Sequence, residues 1–143
     1  MQDKKEVIIM LKEKIQAFSV GLENEGQSFI IPVAKEDNQT SLKAFFSAFN
    51  IKIKDQLYHL LLIIDDDDNN EIFKNFYSLN TEDSSFIAKN IIKGIYGSAG
   101  YQFSFQTSLQ PDKTYEATLT LLTKDNKELS STQTFFNTIG RNQ

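Results

Sequence analysis

No residue of this chain is a cysteine, which rules out thiol catalysis, thiolate metal centres and disulfide staples at once. That absence leaves the compartment open, because envelope domains and cytosolic proteins alike can do without cysteine. Histidine occurs once, at His59, and a lone histidine without thiolates cannot assemble a zinc site. Arginine also occurs once, at Arg141, and the net charge is −4. Arginine is the preferred bidentate reader of phosphate and guanine edges, so this balance argues against a nucleic-acid partner and against anionic membrane surfaces. The longest apolar runs, Leu60–Ile64 and the equally long Val7–Leu11, are far shorter than a membrane-spanning helix requires, so no transmembrane segment is expected. Tryptophan is absent, so the large core volumes must be filled by the 12 phenylalanines and 5 tyrosines.

What is present fits a single domain. A chain of 143 residues can bury roughly two-thirds of its unfolded surface without a metal or a disulfide. We read residues 1–143 as one mainly β domain, with residues 1–14 as a flexible or helical N-terminal extension. Lys4 and Lys5 precede the apolar Val7–Leu11, but Lys12, Glu13 and Lys14 end that stretch too early for a signal peptide. The lysine-rich opening resembles the segment after the lipidated cysteine of a bacterial lipoprotein. This favours a cell-envelope or extracellular location.

Along the chain, Val7, Ile8, Leu11, Ile15 and Phe18 recur at helical spacing, with a strand over Ile15–Leu22 as the competing reading. Ser28–Ala34 is strand-like, and Pro32 places it at an edge or a bulge. Leu42–Phe49 reads as a short helix or a pinned connection, and Glu71–Tyr77 as a short amphipathic piece. Gln56–Ile64 is apolar on both alternating sets, which predicts a central strand covered on both faces. Phe86–Ile95 is consistent with helix or strand. Gly97–Gly100 reads as a turn. From there the pattern is clear: a strand over Tyr101–Ser108, a corner over Leu109–Thr114, a strand over Tyr115–Thr123, a turn over Lys124–Lys127 and a strand over Leu129–Phe136.

Leu109, Pro111 and Tyr115 form a Leu-x-Pro-x-x-x-Tyr string between two alternating strands. This resembles the tyrosine corner of the fibronectin-III and immunoglobulin-like β-sandwiches. The resemblance covers the last third of the chain, and a generic β-arch containing a tyrosine would give the same string. It implies a single β-sandwich of immunoglobulin, fibronectin-III or transthyretin-like type. The first 100 residues depart from the family pattern and would add one or two short helices. It also implies that the Tyr115 hydroxyl bonds back to the backbone near Leu109–Lys113.

The densest set of oxygen ligands is Asp65, Asp66, Asp67, Asp68, Asn70 and Glu71, which suits calcium or magnesium. An EF-hand loop fails in both registers. Starting at Asp65 puts Asn70 where glycine is needed and Phe76 where the bidentate glutamate is needed, and starting at Asp66 puts Tyr77 at that last place. An irregular cation site and a solvated cap on a very apolar strand both remain as readings. No Gly-x-Ser-x-Gly elbow accompanies His59, so no catalytic residue is assigned and no enzymatic activity is expected. The Gly97–Gly100 segment lacks the lysine and helix of a phosphate loop. A non-catalytic protein-interaction module, such as an envelope or secretion-system subunit, is the leading reading. The alternative is a calcium- or glycan-binding sandwich, with Tyr58, Tyr77, Tyr96 and Tyr101 as the aromatic candidates for a glycan. A small hydrolase ranks below both.

Overall fold

The computed structural model describes residues 12–27, 29–33, 39–52, 57–80 and 96–141. Nine strands are present in it: β1 (Lys14–Leu22), β2 (Gly26–Gln27), β3 (Ile30–Val33), β4 (Gln39–Lys52), β5 (Leu57–Asp65), β6 (Glu71–Asn80), β7 (Tyr96–Ser108), β8 (Thr114–Thr123) and β9 (Glu128–Gly140). They form a four-stranded sheet in the order β2-β1-β4-β7 and a five-stranded sheet in the order β3-β9-β8-β5-β6. All pairings are antiparallel except β3 with β9. Pro32 sits in β3, an edge strand, where a residue without an N–H costs the ladder least.

One hydrophobic cluster joins the inner faces of both sheets. From β1 and β4 it takes Ile15, Phe18, Val20, Leu42, Ala44, Phe46, Ala48 and Ile51. From β5 and β8 it takes Tyr58, Leu60, Leu62, Ile64, Tyr115, Ala117, Leu119 and Leu121. Phenylalanine and tyrosine fill the volume left by the missing tryptophan. Tyr77 meets Phe103 with ring centroids 4.2 Å apart, and Phe73 meets Phe105 at 5.0 Å, so β6 and β7 are joined across the layers. The backbone N–H of Ile15 donates to Ser130 Oγ at 3.1 Å, tying β1 to β9.

Several sequence expectations need correction. Among the described residues there is no helix, so the added short helices are not found there. Ile15–Phe18 lies in a strand, in agreement with the competing strand reading over Ile15–Leu22, and Leu42–Phe49 and Glu71–Tyr77 also lie in strands. In β4 the three-and-four spacing of Phe45, Phe46 and Phe49 is misleading. The buried set is Leu42, Ala44, Phe46 and Ala48, a strict period of two in which small residues let the sheets approach. Gly97–Gly100 is not a turn but part of β7, paired with β4. β5 is central in the hydrogen-bonded order but is covered on one face only. Tyr58, Leu60, Leu62 and Ile64 are buried, while His59, Leu61 and Ile63 on the outer face are half-buried. Residues 1–11 of the expected extension, and Phe86–Ile95, lie outside the described residues.

The corner is present in full. Tyr115 is 2 % exposed, and its hydroxyl accepts the backbone N–H of Gln110 at 2.9 Å. Its ring stacks on Phe136 with centroids 5.4 Å apart. Buried Thr138 adds a second lock: its hydroxyl donates to the Gln110 carbonyl and accepts the N–H of Lys113 at 3.1 Å. These bonds hold the chain where it crosses from β7 in one sheet to β8 in the other.

Candidate functional site

Three surfaces carry chemistry-bearing side chains. The first is the acidic β5–β6 connection singled out in the sequence. Asp65 is the last residue of β5, Glu71 the first of β6, and Asp66–Asn70 lie between them. Asp66 organises the loop: its Oδ1 accepts the N–H groups of Asp68 and Asn70, each at 2.9 Å. Asn69 adopts a φ of 61°, a left-handed conformation that asparagine tolerates better than most residues. The N–H of Asn70 is the main cause holding the Asp66 carboxyl below its ordinary pKa. Desolvation opposes it, and the Asp68 N–H, the Asn70 amide and Lys113 add to it. Asp66, Asp67 and Asp68 each bring a carboxylate oxygen within 4.8 Å of the others, while Lys113 lies 3.8 Å from Asp67. Sequence reading missed Glu116, which pairs directly with Asp65 across β5 and β8 and extends the acidic surface. Only the strand register reveals that neighbour.

The second surface is the outer face and edge of the five-stranded sheet. His59 is half-buried there, with Nδ1 3.0 Å from Asn126 Oδ1, beside exposed Phe76. Its partner is a loop amide rather than an acid or a nucleophile. Further along, Phe29 is 73 % exposed and Phe135 58 %, with Ile30 and Ile139 also exposed.

The third surface was not singled out by sequence reading. On the outer face of the four-stranded sheet lies a depression of about 650 Å³, lined by Ala17, Phe45, Phe46, Ser47, Gly100, Tyr101 and Gln102. Alternation and register build it. Phe46 points inward, so Phe45 and Ser47 point outward. Gln102 pairs with Phe45 and Gly100 with Ser47. Gly100 brings no side chain above the sheet, which leaves the floor open beside Ser47. On β1 a bulge between Gln16 and Ser19, with Ala17 at φ 54°, bends the strand at the rim. Phe45 is half-exposed, and Gln16, Gln102 and Ser104 are exposed around it. Among the described residues, neither the Gln102 amide nor the Ser47 hydroxyl has a hydrogen-bond partner.

Of the expected glycan-contacting tyrosines, Tyr101 lines this depression, and Tyr58 and Tyr77 do not. Tyr58 is 1 % exposed, and its hydroxyl accepts the Lys52 N–H at 2.9 Å and donates to Glu13 Oε2 at 3.2 Å. Tyr77 packs on Phe103, and burial pushes its hydroxyl pKa up. Tyr101 stacks its ring on Phe46 with centroids 5.4 Å apart. All three are drawn into packing because they stand at inward positions of their strands. The side chain of Tyr96 lies outside the described residues.

The sequence matches no family model and no curated protein. Solved structures do resemble the fold. A protein described as a β-galactosidase from Bacteroides fragilis superposes with a TM-score of 0.57 at 11% identity, over 87% of this chain and 17% of that one. A glycosyl hydrolase family 2 member from Bacteroides cellulosilyticus gives 0.56 at 13% identity, over 87% and 15%. A Bacteroides uniformis β-glucuronidase gives 0.54 at 15% identity, over 87% and 14%. This chain therefore spans less than a fifth of the length of these proteins. At such identities the likeness is one of fold. Among the described residues, no helix is long and apolar enough to cross a membrane.

Proposed function

We propose that this chain is a non-catalytic glycan-binding module, a β-sandwich of the immunoglobulin and fibronectin-III-like type, built on the tyrosine corner. The observation that carries the reading is the depression centred on Phe45. Glycan sites combine an apolar surface, on which the C–H face of a sugar ring packs, with a few polar groups that fix its orientation. Phe45 supplies the first, and Gln102 and Ser47 the second, with exposed Gln16 paired beside Ser47. The fold likeness to parts of glycoside hydrolases agrees with a glycan-related role. That the likeness covers under a fifth of those chains supports a part that binds rather than cleaves, as does the pairing of His59 with an amide. Binding of an oligosaccharide panel by the wild-type protein and by Phe45→Ala tests it. Saturable binding lost in the variant, with unchanged thermal unfolding, is the expected result. A variant that binds as well as wild type would contradict the proposed site.

Two further readings each rest on one observation. Docking of a protein partner is favoured by the exposed Phe29, Ile30, Phe135 and Ile139. Binding of calcium at Asp66, Asp67 and Asp68 is favoured by their converging carboxylate oxygens, and opposed by Lys113 and by the N–H groups already held by Asp66. Thermal unfolding in ~1 mM calcium against chelator, with Asp66→Asn, Asp68→Asn as the control, tests the cation. A millimolar-affinity ion would raise the midpoint in wild type only.

A further inference from the structure

The two sheets differ in charge. The chain carries 19 acidic residues and a net charge of −4, yet no residue of β1, β2, β4 or β7 is Asp or Glu. The acidic side chains within strands fall in the other sheet, at Asp65, Glu71, Glu116 and Glu128. The four-stranded sheet instead carries Lys14, Lys43 and Lys52. Lys43 lies two residues from Phe45 on the same face of β4, roughly 6.5 Å along the strand. Lys14 pairs with Phe49, on the other side of Phe45 from Lys43 along the sheet. Among the described residues the one ion pair is that of Lys113 with Asp67, so neither lysine is neutralised there. Among the described residues, the acidic side chains of the adjoining segments stand outside these strands, at Glu13, which bonds Tyr58, and at Glu23 and Glu25 in the β1–β2 turn, so the stretch of the face from Lys14 to Lys43 holds a locally positive field within a negatively charged molecule.

We propose that the glycan taken by this face is anionic, a uronic-acid or sulfated oligosaccharide. A sugar ring lies on Phe45, and the acidic groups of neighbouring units meet Lys43 on one side and Lys14 on the other. This assignment rests on the glycan reading of the same depression. Gln102 and Ser47 orient the ring through its hydroxyls. The lysines select charge, and they do so with flexible point charges suited to groups spaced along a chain.

The test is titration calorimetry with oligogalacturonate, with heparin-derived oligosaccharide and with a neutral cello-oligosaccharide of equal length. At about 50 mM salt, at least one acidic probe should bind on the order of tenfold more tightly than the neutral one. That preference should shrink as salt rises toward about 500 mM, where the Debye length is only a few ångströms. Whichever acidic probe prevails identifies the carboxylate or the sulfate as the recognised group. Lys43→Gln and Lys14→Gln, both surface changes, should weaken the acidic probe several-fold without changing neutral binding, whereas Phe45→Ala should weaken every probe that binds. Equal affinities for acidic and neutral probes, or lysine variants without effect, would overturn this inference. If the neutral sugar alone binds and Phe45→Ala abolishes it, the charge assignment fails while the glycan site stands. If no probe binds, both fail.

Discussion

At the scale of single residues, the most legible feature was Tyr115, because a corner needs its leucine, proline and tyrosine at fixed spacing along one short segment. Its hydroxyl holds the Gln110 N–H at a crossing between sheets. Tyr115→Phe keeps the ring stacked on Phe136 and should therefore cost about 1 kcal/mol, the net value of one hydrogen bond, measurable by denaturant unfolding. Thr138, the second lock, was not legible, since it reaches the corner from β9 across 28 residues of sequence to Gln110. Asp66 offers a pH test. Its folded pKa lies below the ordinary 3.8, so its contribution to stability is fully present above that value. It is lost as pH falls through the depressed folded value. Asp66→Asn should flatten that part of the acid limb in a series of thermal melts, and an unchanged acid limb would show that the loop bonds do not form in solution.

At the scale of elements, β8 and β9 were readable because alternation, corner and turn agree on one register. β4 and β6 were not. Their phenylalanines sit at spacings shared by a helix and by two faces of a strand, and small residues such as Ala44 and Ala48 carry little hydrophobic signal although both are fully buried. The tertiary requirement for close sheet packing decided between the two patterns. Bulges are equally hidden in the sequence. Ala17 sits at φ 54°, where an L residue with a Cβ is strained by about 1 kcal/mol or more. Ala17→Gly should relieve part of that strain and raise the unfolding midpoint, while Ala17→Val should lower it. Across β5 and β8, Asp65 stands directly opposite Glu116. Like charges so placed oppose pairing, so Glu116→Gln should stabilise the protein by ~0.5 kcal/mol at low ionic strength, and by less as salt is added.

At the scale of the whole molecule, the sequence shows its composition but not its charge segregation by sheet. The acidic run drew attention because it is contiguous. The Phe45 depression did not, because Gln16, Phe45, Ser47 and Gln102 come from three distant strands and meet only through register. The same register turns Tyr58, Tyr77 and Tyr101 into packing residues and leaves phenylalanine as the exposed aromatic. The central claim is that the outer face of the four-stranded sheet is the binding surface. Backbone amide NMR shifts recorded during titration with an acidic oligosaccharide test it most directly. We predict shifts concentrated at Lys14–Ala17, Lys43–Ser47 and Gly100–Ser104. Shifts concentrated instead at Asp65–Glu71, or around Phe76 and Phe135, would contradict the account.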